Sequence, residues 1–144
     1  MKKIIISTFY FFLFNLLLSN SSIFAKSNSH TWSKNFNESM QAAKHQHKDV
    51  LVDIYAPTWL QCKKLDKFVY NNPSFIKFIK NKFICVKVNA DDNSYGQKFA
   101  FKYGASNTPT ILVFNSQGKL IGKIYGYLNT SQYKKKLEAF LKSQ

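Results

Sequence analysis

Three stretches of this chain carry side chains able to do chemistry. Asp53 lies inside Val50-Leu51-Val52-Asp53-Ile54-Tyr55, an otherwise apolar run, where an ionisable group is costly unless something there needs it. Cys62 follows nine residues later, at what reads as the start of a helix. Thr108-Pro109-Thr110 opens a later apolar run. The reactive group in this set is a thiol, which attacks and binds as its thiolate, so its surroundings decide what it can do. Cys85 sits inside a strand-like run and reads as an inert strand residue. Pairing it with Cys62 would need Cα atoms within about 7 Å, closer than a strand centre and a helix start are expected to lie. His45-x-His47 lacks a third ligand at a recognised spacing, so no metal is expected, and no cofactor is expected either.

These residues need elements to hold them. From Ser33, a reasonable N-cap, apolar residues fall at Phe36, Met40 and Ala43, one face of a helix. Residues 50–55 are rich in strand formers and read as a buried strand that Pro57 ends. Residues 62–70 fit a helix with Leu65, Phe68 and Val69 on one side. Asn72-Pro73 breaks it, and Phe75, Phe78 and Ile79 suggest a second short helix. Residues 83–89 form another strand. Tyr95, Phe99 and Tyr103 mark a helix closed by Gly104. Residues 110–114 and 120–125 pair as a hairpin across a tight turn at 116–119. The last helix starts near Thr130 and aligns Tyr133, Leu137, Phe140 and Leu141. The order is α-β-α-α-β-α-β-β-α, which builds an α/β domain with one mixed sheet and helices on both faces.

The compartment is read from the first residues. Lys2 and Lys3 precede an apolar run over residues 4–18, followed by a polar stretch and the small residue Ala25. This is the pattern of a secretory signal peptide over residues 1–25. The run is shorter than the roughly 20 residues that a spanning helix wants, so no stable membrane span is expected after cleavage. The remaining domain, residues 26–144, is then expected in the periplasm or outside the cell, where thiols tend to be oxidised. No cysteine precedes Cys62, which excludes a lipid-modified cysteine at the cut.

The chain carries a formal charge of +14. Every basic residue is lysine. Lysine lacks the flat two-pronged donor geometry of guanidinium, which argues against specific nucleic-acid recognition. The bias toward Asn, Ile, Phe, Tyr and Lys tracks adenine- and thymine-rich codons, and a solvated basic surface accounts for the charge. Binding to an anionic lipid or polymer is the alternative.

At this point a resemblance enters. Residues 50–65 (VLVDIYAPTWLQCKKL) resemble the active-site segment of the thioredoxin superfamily. Within it, they are most similar to the C-terminal thioredoxin-like domain of bacterial thiol:disulfide interchange proteins and their small exported relatives. The likeness continues through residues 66–73 (DKFVYNNP), 86–91 (VKVNAD), 103–114 (YGASNTPTILVF) and Gly126-Tyr127. It implies the thioredoxin-like fold. It also implies that Asp53 is the buried acid, Cys62 the second, resolving cysteine, Pro109 a cis-proline facing the site, and Thr108 the residue whose backbone pairs with bound peptide. The first cysteine of the motif falls on Trp59, and the tryptophan before it falls on Thr58. A one-residue shift that aligns the tryptophans still supplies no second cysteine.

This departure sets the functional expectation. In a Cys-x-x-Cys site the first thiol, exposed at the helix N-terminus, attacks the client disulfide and the second releases it. An indole cannot attack. Burial and a nearby carboxylate both disfavour a Cys62 thiolate, so redox chemistry is confined to a mixed disulfide at Cys62. The expected partners are a client protein or peptide and a redox partner protein. The alternative is a non-catalytic peptide-binding module that uses Trp59, Thr108 and Pro109. Cys62 and Asp53 are also open to a purely structural reading as core residues, and Trp59 reads either as a plug or as an exposed aromatic anchor.

Overall fold

The computed structural model describes residues 32–144; the signal peptide expected over 1–25 lies outside them. The elements, in order, are α1 (Phe36–Gln46), β1 (Asp49–Tyr55), α2 (Leu60–Leu65), a π-helical turn (Asp66–Tyr70), α3 (Pro73–Lys82), β2 (Phe83–Asn89), α4 (Gly96–Lys102), β3 (Thr110–Phe114), β4 (Leu120–Tyr125) and α5 (Thr130–Lys142). The strands lie in the order β2-β1-β3-β4. β1 runs parallel to β2 and antiparallel to β3, which pairs antiparallel with β4. The sheet is therefore mixed.

Because side chains alternate across a strand, each strand feeds two cores. Leu51, Cys85, Ile111, Val113 and Ile124 face one side with Leu65, Val69, Phe75, Ile79, Tyr133 and Leu137 from α2, the turn, α3 and α5. Val50, Val52, Ile54, Val86, Val88, Leu112 and Phe114 face the other with Ala43 and Phe99 from α1 and α4. Helices thus cover both faces of the sheet. β1 is buried along six of its seven residues, which is why it reads as an unbroken apolar run.

Two local expectations are corrected. The first helix is capped by Asn35, whose side chain accepts from the Glu38 N–H at 3.2 Å, and Ser33 is not the cap. Ser33 instead forms a parallel bridge to Val86: its N–H donates to the Cys85 carbonyl and its own carbonyl accepts from the Lys87 N–H, each at 2.9 Å. The stretch read as one helix over 62–70 starts at Leu60 and changes pitch at Asp66. The Asn71 N–H bonds back five residues to the Asp66 carbonyl at 3.2 Å, the wide-turn pattern of a π-bulge. The wide turn buries both Val69 and Tyr70 and turns Phe68, expected in the core, out to solvent.

Geometry requires glycine at Gly104 and at Gly122, among other positions. Gly104 (φ +62°) follows the last turn of α4 in the left-handed conformation that suits a residue without a side chain. Gly122 on β4 lies under α5, where an added Cβ would come within 2.3 Å of the Phe140 ring.

Candidate functional site

The site is assembled at the C-terminal end of β1. Pro57 and Thr58 lead out of the strand, and α2 begins at Leu60 with Trp59 in the N-cap position. The Trp59 side chain makes no capping bond; a residue without a side-chain oxygen leaves the first turn without that stabilisation. Its indole is 56% exposed, which favours the surface-anchor reading over a plug. Cys62 sits one turn in and is only 4% exposed. Burial pushes its thiol pKa up, and the charges of Asp53 and Asp66 push the same way, against hydrogen bonding from the Ala56 backbone and the Thr108 side chain. The sulfur is therefore held as the protonated thiol.

Thr108 reaches this sulfur from the loop before β3. The Thr108–Pro109 peptide bond is cis, and Pro109 is buried. Its carbonyl accepts from the Gly126 N–H at 2.8 Å, which ties the loop to the end of β4. Cys85 lies in the strand as expected, buried, with a thiol pKa pushed far up by desolvation. Both cysteines are free. His45 and His47 are exposed at the end of α1, with His47 in a left-handed cap conformation. Among the described residues no group of three His, Cys, Asp or Glu side chains lies close enough to hold a metal ion.

Around Asp53 lies an ionic group of which the sequence reading singled out that buried acid alone. Asp53 is 1% exposed, and its register partner across the parallel pair is Lys87. The Lys87 Nζ stands 3.5 Å from Asp53 Oδ2 and also donates to Asp66 Oδ1 at the start of the π-helical turn. The same ammonium lies 4.9 Å from the ring centre of Tyr55, 5.2 Å from Tyr70 and 5.5 Å from Trp32, distances at which an aromatic face attracts a cation. Burial raises the Asp53 pKa to about 7; Lys87 and a contribution from the Tyr70 hydroxyl oppose the rise, and Asp66 adds to it. Asp53 Oδ1 and the Tyr70 hydroxyl are both buried without a hydrogen-bond partner of normal geometry. Lys87 was legible by the argument that picked out Asp53, since it too interrupts an apolar strand. Asp66 and Tyr70 gave no such signal: Asp66 is a half-exposed acid on a helix, and Tyr70 is buried in the wide turn.

Comparison with known proteins follows this geometry. A family model described as a thioredoxin-like domain matches residues 36–141. The chain belongs to that family. Among curated relatives, the thioredoxin-like chain is 29% identical over 97 residues to the thiol:disulfide interchange protein DsbD of Photorhabdus laumondii and 28% identical over 102 residues to that of Pseudoalteromonas atlantica. These matches cover 65% and 68% of the chain but only 17% of each relative. Among solved structures, it superposes on a putative disulphide-isomerase from Bacteroides thetaiotaomicron (TM-score 0.70, 23% identity, covering 83% of this chain and 99% of that one). It also superposes on the oxidised C-terminal domain of Neisseria meningitidis DsbD (TM-score 0.64, 20% identity, covering 76% and 98%). The thioredoxin-like fold and the kinship with thiol–disulfide interchange proteins are established by these matches. No helix among the described residues is long and apolar enough to cross a membrane.

Proposed function

We propose that this is an exported thioredoxin-like protein of the thiol–disulfide exchange pathways that does not turn over as a dithiol oxidoreductase. The observation that carries the reading is the helix tip: a half-exposed indole at Trp59, in the N-cap position, three residues before a sheltered and protonated Cys62. Dithiol exchange needs an exposed thiolate to strike and a second thiol to resolve. Here Trp59 replaces the first, and only Cys62 remains.

Any redox step is then a one-thiol step. The Cys62 thiolate attacks a client disulfide, one client sulfur leaves as a thiol, and the mixed disulfide persists until an external thiol resolves it. In this reading the buried Asp53 takes the Cys62 proton, and the backbone of Thr108 with the turn at Pro109 receives client peptide; the support is the family likeness and the electrostatic influence of Asp53 on the thiol. Export rests on the leader-like residues 1–25.

A second reading is favoured by one specific contrast, the exposed Trp59 against the buried Cys62: a non-catalytic module that binds peptide or protein through the surface around Trp59, Thr108 and Pro109. Insulin reduction separates both readings from an ordinary oxidoreductase. The expected outcome is no turnover above the uncatalysed rate, and Trp59→Cys is expected to create it. Robust turnover by the unaltered protein would overturn the proposal.

A further inference from the structure

We infer that the outer flank of α2 and the π-helical turn is a docking strip for an acidic protein segment that carries bulky apolar residues. This rests on the reading of the helix tip as a partner-facing surface and supplies the partner's chemistry. It requires no reactive thiol.

Leu60, Lys63 and Lys64 lie along one side of α2, and Lys67 and Phe68 follow in the π-helical turn. All five are exposed, while Cys62, Leu65 and Val69 between them are buried. The strip therefore has a definite direction in the fold. Leu60 is 62% exposed and Phe68 52%, and Trp59 continues the apolar surface at the helix start. Large apolar side chains grouped in water beside a family's working end mark an interaction surface more often than chance. Phe68 is outward only because of the π-helical turn, so the pitch change that hides Tyr70 also creates the second anchor.

The charge on the strip selects the partner. Lys63, Lys64 and Lys67 lie between the two anchors, and the single acid of the segment, Asp66, is already engaged by Lys87. The neighbouring helix adds no acid at this end. Thr130 at its start donates to the Phe68 carbonyl at 3.3 Å, Lys134 one turn on donates to Ser74, and Glu138 lies a further turn away. Among the described residues none of these three lysines forms a salt bridge, and they stand between the two apolar anchors, with the Lys67 ammonium 5.2 Å from the Phe68 ring centre. A segment with carboxylates flanked by large apolar side chains matches that order. A lipid surface would instead favour a continuous apolar face with the cations at its margin. Charge complementarity of this kind governs partner choice and encounter rate.

The test uses the full chain carrying Cys62→Ser, which keeps the strip and removes the thiol. The probe is a fluorescent synthetic peptide in which a run of glutamates separates two leucines. Two counterparts accompany it, one with Glu replaced by Gln and one with Leu replaced by Ser. Anisotropy at near-physiological salt is expected to show the glutamate–leucine peptide binding about tenfold tighter than either counterpart. The Leu60→Ser/Phe68→Ser variant and the Lys63→Gln/Lys64→Gln/Lys67→Gln variant are each expected to lose that margin. A Lys98→Gln/Lys102→Gln/Lys119→Gln variant removes the same charge away from the strip and is expected to keep it. Far-ultraviolet circular dichroism checks that each variant is folded. Equal weakening by the remote lysine variant would reduce the strip to general attraction and overturn the inference. Binding to phosphatidylglycerol vesicles without selective peptide binding would overturn it in favour of a membrane surface. Robust insulin reduction by the unaltered protein would instead sink the proposed function and leave the strip standing.

Discussion

At the residue scale, the site is defined by what surrounds one sulfur and one carboxylate. A thiol that is 4% exposed and held protonated is expected to react slowly with an aromatic disulfide reagent. Labelling of Cys62 in the native protein should be at least about 100-fold slower than after denaturation, in line with the inertness of buried cysteines. Equal rates in the two states would show the thiol to be accessible. Asp53 sets the pH behaviour. Its folded pKa is raised to about 7 from an ordinary value of 3.8, so between those values the folded state holds a proton that the unfolded chain has released. Stability is therefore lost as pH rises from about 4 to about 7, by an amount of a few kcal/mol at most. Asp53→Asn is expected to flatten this dependence in denaturant titrations at pH 5 and pH 8. An unchanged slope would mean that Lys87 keeps the carboxylate ionised throughout. Asp53 and Cys62 were legible in the sequence because an acid in an apolar strand and a cysteine at a helix start stand out by themselves. The aromatic walls of Trp32, Tyr55 and Tyr70 around Lys87 did not, since they come from three separate stretches of chain.

At the element scale, most boundaries followed from pattern, and the departures have local causes. β2, β3 and β4 match the runs read at 83–89, 110–114 and 120–125, because strand formers bounded by turns leave little choice. The helix after Cys62 departs because periodicity alone assumes 3.6 residues per turn, whereas the wide turn at Asp66–Tyr70 inserts an extra residue. That insertion moved Phe68 from the expected core to the surface. The first helix departs because Ser33 is claimed by a sheet bridge and Asn35 caps in its place. Contact between α5 and β4 rests on the absence of a side chain at Gly122. Gly122→Ala would force Phe140 aside from 2.3 Å and is expected to destabilise by about 1–3 kcal/mol, as overpacking does. The combination Gly122→Ala with Phe140→Leu is expected to recover part of that loss. A single variant as stable as the parent would show that the helix lifts off without cost.

At the scale of the whole molecule, one sheet welds two apolar layers into a single folding unit. Leu65→Ala on one face and Leu112→Ala on the other, both fully buried, are each expected to cost about 2–5 kcal/mol. Tryptophan fluorescence and far-ultraviolet circular dichroism should give coincident transitions for both variants; separate transitions for the two faces would contradict a single unit. The order of amino acids by itself determined the α/β class, the strands and the family likeness, because apolar periodicity and turn residues act over a few neighbours. It also determined that an indole stands three residues before Cys62. Only the tertiary structure decided that Trp59 faces solvent, that the Cys62 thiol is sheltered, and that Lys87 joins Asp53 to Asp66. Those facts depend on distances between segments far apart in the chain and on the loss of water around them, and no local pattern encodes either.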